Sequence, residues 1–164
     1  MKSMKFFKRV ATFIFLLVFI NVLQLHAQKN TVNWISFEQL DDSLAVKPKK
    51  VWISFYADWC SYCKKMDKTA YKDPKIISVL NSEYYAVKMD AETKDPIVFE
   101  GKKFINEELG KKRRATHQIP LLLASRKGRP FSLPAMLILD ENFQVIGRYF
   151  EYLSPKKMRQ VLQE

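Results

Sequence analysis

The chain has 164 residues, with 28 Lys and Arg against 17 Asp and Glu and a formal net charge of +11. Its 48% hydrophobic and 27% charged residues are ordinary for a globular protein and exclude a disordered or low-complexity chain. The charge is scattered: Lys111-Lys112-Arg113-Arg114 is the one dense basic run, and it lacks the interleaved aromatics of a nucleic-acid site, so it reads as a solvated turn suited to an acidic partner.

The N-terminus opens with Lys2, Lys5, Lys8 and Arg9, followed by an apolar run from Val10 to Ile20 that only Thr12 interrupts. Leu25-His26-Ala27 resembles a small-residue cleavage site with a larger than usual Leu25. This pattern predicts a signal peptide over residues 1–27 and an exported, periplasmic protein. The rival is an uncleaved membrane anchor, but the run is short of the about 20 residues a bilayer span needs. Residues 28–164 would form one domain with 24 basic and 17 acidic residues, a net charge of +7.

Ser36-Phe37-Glu38-Gln39 reads as a capping box opening a helix to about Ala45, ended by Pro48. Val51 to Tyr56 has the β-branched and aromatic character of a central strand. A helix is predicted from Cys60 to about Tyr71, and Asp73-Pro74 opens another through Leu80. Tyr85 to Met89 is the next strand, and residues 97–99 and 103–105 form a hairpin around Glu100-Gly101. Residues 106–114 are polar and loop-like, and a helix follows near His117 to Arg126, with Pro120 in its first turn and Gly128 as its stop. Ala135 to Leu139 and Val145 to Phe150 are strands joined by a turn at residues 140–143, and Ser154-Pro155 caps a last helix. Helices and strands in this order imply an α/β fold with a mixed central sheet flanked by helices.

Cys60-Ser61-Tyr62-Cys63 holds the only two cysteines of the chain. At that spacing they can close into a disulfide within a helical turn and reopen by thiol exchange. A purely structural disulfide there would close a tiny loop and constrain the unfolded chain little. A closed zinc site needs four ligands, and beyond the two thiols only His117 remains after leader removal, so no metal is expected. A copper site of Cys60, Cys63 and His117 is the alternative on soft-ligand grounds. His117 otherwise reads as a helix-start residue at the surface.

The sequence Ala57-Asp58-Trp59-Cys60-Ser61-Tyr62-Cys63-Lys64 after a strand, with Ser132-Leu133-Pro134-Ala135 before one, resembles the thioredoxin-like superfamily over roughly Trp34 to Glu164. Tyr56 to Cys60, Lys64-Lys65-Met66-Asp67 and Asp73-Pro74 are most similar to exported members such as the periplasmic C-terminal domain of the membrane thiol-disulfide reductase. The resemblance implies a thioredoxin-like fold with an insertion at about residues 97–130, and no cofactor beyond the Cys60–Cys63 disulfide. It also implies a cis Pro134 packed against the cysteines, with Leu133 offering its backbone to substrate. Pro134 could instead be an ordinary trans proline at a strand's first residue. Trp59 shields the thiols or fills the rim of the site.

Cys60, at a helix N-terminus, is the expected nucleophile, because free N–H groups and the helix dipole favour a thiolate there. Cys63, one turn on and more buried, would resolve the mixed disulfide. Many thioredoxins carry a buried acid six residues before the first cysteine; here that position is Ser54, which cannot take a proton near neutral pH. Asp67, one turn after Cys63, could serve instead. It could equally be a half-exposed partner of Lys64. The expected protein is a monomeric disulfide reductase acting on exported proteins and fed by a membrane dithiol donor. An oxidase, an isomerase or a redox-linked binding module that holds a partner are the alternatives.

Overall fold

The computed structural model describes residues 31–163. The expected leader lies outside the described residues.

Five strands form one sheet. They are β1 (Trp34–Ile35), β2 (Lys50–Tyr56), β3 (Tyr84–Asp90), β6 (Ala135–Leu139) and β7 (Val145–Tyr149), in the order β1-β3-β2-β6-β7. The first three run parallel, β6 lies antiparallel to β2, and β7 antiparallel to β6. A separate hairpin pairs β4 (Ile97–Phe99) with β5 (Lys102–Phe104). The helices are α1 (Phe37–Val46), α2 (Ser61–Lys68), α3 (Pro74–Glu83), α4 (Gln118–Ala124) and α5 (Pro155–Val161). Among the described residues no helix is long and apolar enough to cross a membrane. The thioredoxin-like α/β fold and mixed sheet are as expected.

The sheet divides the core in two because successive strand residues face opposite sides. Trp52 and Ala86 pack with Met66, Tyr71, Ile76, Leu80 and Met158, covering one face with α2, α3 and α5. Val51, Ile53, Phe55 and Val87 pack with Phe37, Leu40 and Ile119, covering the other with α1 and α4. Each large apolar side chain removed from water contributes about 1.5–3 kcal/mol before entropy is counted.

Helix starts follow local chemistry. Ser36 and Gln39 form the reciprocal capping box at α1, with Gln39 N–H on Ser36 Oγ at 3.2 Å and Ser36 N–H on Gln39 Oε1 at 2.9 Å. Asp73 caps α3 and Ser154 caps α5. Other boundaries differ from expectation. The helix after the cysteines stops at Lys68, then tightens into a 3-10 turn over Ala70–Lys72. Thr69 breaks it by donating its hydroxyl to the Lys65 carbonyl at 2.8 Å. α4 ends at Ala124, not near Arg126, because Arg126 and Arg129 pair across a turn at Gly128, whose φ is +70°. Gly128 is therefore a turn residue and not a helix stop. β5 begins one residue early because Glu100 and Gly101 both adopt positive φ, closing a two-residue turn that pairs Phe99 with Lys102. The two-residue β1 had no readable pattern.

Candidate redox site

The site lies where the parallel strands end. β2 gives way at Ala57 to a turn, in which Cys60 N–H donates to the Ala57 carbonyl at 2.9 Å. Cys60 is the N-cap of α2, and its Sγ accepts the Cys63 N–H at 3.2 Å. The helix therefore directs its first free N–H groups at this sulfur, which is where a thiolate is stabilised. Cys60 and Cys63 are joined as a disulfide with Cα atoms 5.2 Å apart. In this oxidised form Cys63 is not the more buried of the pair, at 6% exposure against 3% for Cys60. The turn at Ala57 tucks the first sulfur onto the helix end, so both are covered.

Trp59 stands at the rim with 43% exposure. Its indole N–H donates to Glu92 Oε1 at 2.8 Å, and the Arg114 guanidinium stacks 3.7 Å from its ring centroid. Pro134 is buried, and the Leu133–Pro134 peptide is cis. Because Ala135 pairs with Phe55, Pro134 sits at the level of Tyr56, on the sheet edge from which Cys60 emerges.

Asp67 lies on α2 one turn after Cys63, with its side chain 37% exposed. Its partner is Lys88 of β3 at 2.5 Å, not Lys64. The Lys88 ammonium also sits over the rings of Tyr56 at 4.9 Å and Trp34 at 5.7 Å. Ser54 is buried and accepts a hydrogen bond from Tyr71 Oη at 3.0 Å, and Tyr71 Oη in turn accepts the Trp52 indole N–H at 3.2 Å. Burial holds the Tyr71 hydroxyl far above its ordinary pKa, so this chain of hydroxyls is neutral.

Sequence reasoning missed three polar groups here: Asp90, Glu92 and Arg114. Asp90 ends β3 in register with Tyr56. Burial raises its pKa, and the charges of Asp58 and Glu92 add to this, while the Glu92 N–H opposes it at 2.9 Å. The position of Asp90 at the end of a parallel strand, and of Glu92 just after it, was the available signal. Arg114 had none, because only the folded insertion brings it to Trp59.

His117 is fully buried, contrary to its expected place at the surface. Its N–H donates to the Ala91 carbonyl at 2.8 Å, and its Nδ1 accepts the Ile119 N–H at 3.2 Å. It is drawn inside because it both caps α4 and ties the insertion to the end of β3. Among the described residues no group of three or more His, Cys, Asp or Glu side chains could hold a metal ion, so Cys60, Cys63 and His117 do not assemble a copper site.

A family profile described as a thioredoxin-like domain matches residues 38–164. Thiol:disulfide interchange protein DsbD of Salmonella typhi is 43% identical over 44 residues, which is 26% of this chain and 8% of that protein. DsbD of Campylobacter jejuni (strain RM1221) is 33% identical over 55 residues, 34% of this chain and 10% of that protein. The matched stretches thus span a tenth or less of these relatives' length. Among solved structures, a DsbH oxidoreductase superposes with a TM-score of 0.56 at 16% identity, covering 81% of this chain and 83% of that one. The reduced C-terminal domain of Neisseria meningitidis DsbD superposes at 0.50 with 16% identity, covering 77% and 90%. A Thermus thermophilus thioredoxin does so at 0.52 with 18% identity, covering 81% and 85%. These likenesses establish a common fold, and with the match over residues 38–164 the chain belongs to the thioredoxin-like family.

Proposed function

We propose that this protein is an exported thiol-disulfide oxidoreductase that reduces disulfides in other exported proteins. The observation that carries the reading is Cys60 at the N-terminus of α2, bonded to Cys63 and flanked by the half-exposed Trp59. The basic and then apolar N-terminus supports export, and similarity to the thiol:disulfide interchange protein DsbD supports the chemistry.

In the reduced protein the Cys60 thiolate attacks one sulfur of a substrate disulfide. The Cys60–substrate bond forms, the substrate S–S bond breaks, and the departing thiolate takes a proton. Cys63 then loses its proton and attacks Cys60 Sγ. The mixed disulfide breaks, the second substrate sulfur leaves, and the Cys60–Cys63 bond closes. Two electrons have passed from protein to substrate, and a membrane dithiol donor returns them. Proximity makes the second attack effectively intramolecular. Leu133 and Pro134 position the substrate backbone, and Asp67, ion-paired to Lys88, is the proposed acceptor of the Cys63 proton.

Trapping tests the scheme. Cys63→Ala should accumulate mixed disulfides with substrate, and Cys60→Ala should not. Insulin reduction should disappear in both, and Asp67→Asn should slow only the second step. If neither cysteine variant loses activity, the reading is wrong. A reduction potential close to thioredoxin's about −270 mV supports reduction, whereas one near about −120 mV would make the protein an oxidant.

A further inference from the structure

We propose that the loop over residues 106–117 belongs to the redox site and that its basic run selects partners with acidic side chains beside the reacting disulfide. The proposal rests on the thiol-exchange reading above. Arg114 ties loop to site: its guanidinium stacks on Trp59, the residue before Cys60. The indole is held from its other end by Glu92.

The loop is anchored. Buried Asn106 donates through Nδ2 to the Thr93 carbonyl at 3.1 Å and the Ala115 carbonyl at 2.8 Å. Glu108 Oε2 accepts the Thr116 N–H at 3.0 Å, and its other oxygen pairs with Lys112. The His117 N–H completes the attachment at Ala91. Lys111 and Arg113 are left exposed, without an ion pair among the described residues. Of the acidic groups nearby, Glu108 alone is neutralised by an ion pair among the described residues. Glu92 holds Trp59, Glu108 holds Lys112, and Glu107 accepts from Gln118 Nε2 at 2.7 Å. Exposed Asp58 adds an opposing charge, and Glu92 and Glu107 keep theirs because the Trp59 indole and the Gln118 amide are neutral; the loop's own four basic residues against two acidic ones leave it at a formal +2. A polypeptide whose cystine reaches Cys60 thus meets Arg114 on Trp59, at the end of a fixed loop that is itself net positive.

The test uses the pre-reduced protein and two cystine peptides that differ only in two Glu or two Lys beside the disulfide. The acidic peptide should oxidise the protein about fivefold faster, the size of effect two exposed ion pairs give. Salt at about 0.5 M should collapse the preference. The double variant Lys111→Glu/Arg113→Glu should abolish or invert it, and Arg114→Gln should weaken it by releasing the run from Trp59. Equal rates for the two peptides in the unmodified protein, or a preference that survives both salt and charge reversal, overturns the proposal. Bis(2-hydroxyethyl) disulfide, which carries no charge, separates the two failures. If it is reduced while the peptides show no preference, only the selection by the basic loop is wrong. If it too is not reduced, the exchange reading falls and takes that selection with it.

Discussion

His117 illustrates what a single residue's neighbours can reverse. Its position before an apolar helix reads as a surface cap, yet it is enclosed, and its Nε2 makes no well-formed hydrogen bond among the described residues. Burial pushes its pKa below the ordinary 6.5, and the Phe104 backbone opposes this only in part. The folded protein therefore binds fewer protons than the unfolded one at acid pH. The stability this neutral histidine contributes is present above about pH 6.5 and is lost as pH falls below that toward the lowered value. His117→Asn keeps a good helix cap and removes the titration. Thermal melts from about pH 7 down to about pH 5 should show the unmodified protein losing stability more steeply than the variant. Parallel curves would exclude His117 as the cause. Ser54 carries a related lesson. The missing acid was readable from spacing, but its replacement by the hydrogen-bonded chain Trp52–Tyr71–Ser54 was not, since Tyr71 lies in the 3-10 turn that follows the end of the helix at Lys68.

Elements were legible wherever a local hydrogen-bond device sets their start. Ser36, Asp73 and Ser154 each accept N–H groups of the turn that follows, and the sequence around each carries that signature. Helix ends were less so, because the back-bond of Thr69 and the turn at Gly128 compete with propensity at positions no spacing rule marks. Asp73 joins local and distant structure. One oxygen accepts the Lys75 N–H at 3.0 Å and the Ile76 N–H at 3.3 Å, while the other pairs with Arg159 of α5. Asp73→Asn should keep the cap and lose the ion pair, costing up to about 1 kcal/mol in urea unfolding because Arg159 is partly exposed. Asp73→Ala loses both and should cost about 1 kcal/mol more. Equal costs would mean that the cap contributes nothing.

For the molecule as a whole, the sheet assembles the site from stretches far apart in the chain. Cys60 follows β2, Glu92 follows β3, Pro134 precedes β6, and Arg114 arrives from the insertion. Cys60, Cys63, Trp59 and Pro134 could be read from motifs that keep fixed offsets from strands. Arg114 could not, because its meeting with Trp59 depends on how the loop over 106–117 folds back, and Glu92 carried only the coarser signal of its place after a parallel strand. The two-sided core also bears on whether the disulfide supports the fold or serves the chemistry. It closes a loop of only four residues, for which chain entropy supplies about 2 kcal/mol, against about 5 kcal/mol for a loop of a hundred residues. Meanwhile Trp52, Met66, Tyr71 and Ile76 on one face and Phe37, Val51 and Phe55 on the other pack without any covalent tie. Reduction should therefore leave the far-ultraviolet circular dichroism unchanged and move the melting temperature by less than about 10 °C, given about 2–4 °C per kcal/mol for a domain of this size. Reduced and oxidised protein melted side by side in matched buffers give the answer. A reduced form that is unfolded at room temperature would make Cys60–Cys63 a structural staple and remove the basis for exchange, since a protein that exchanges thiols must stay folded in both redox states.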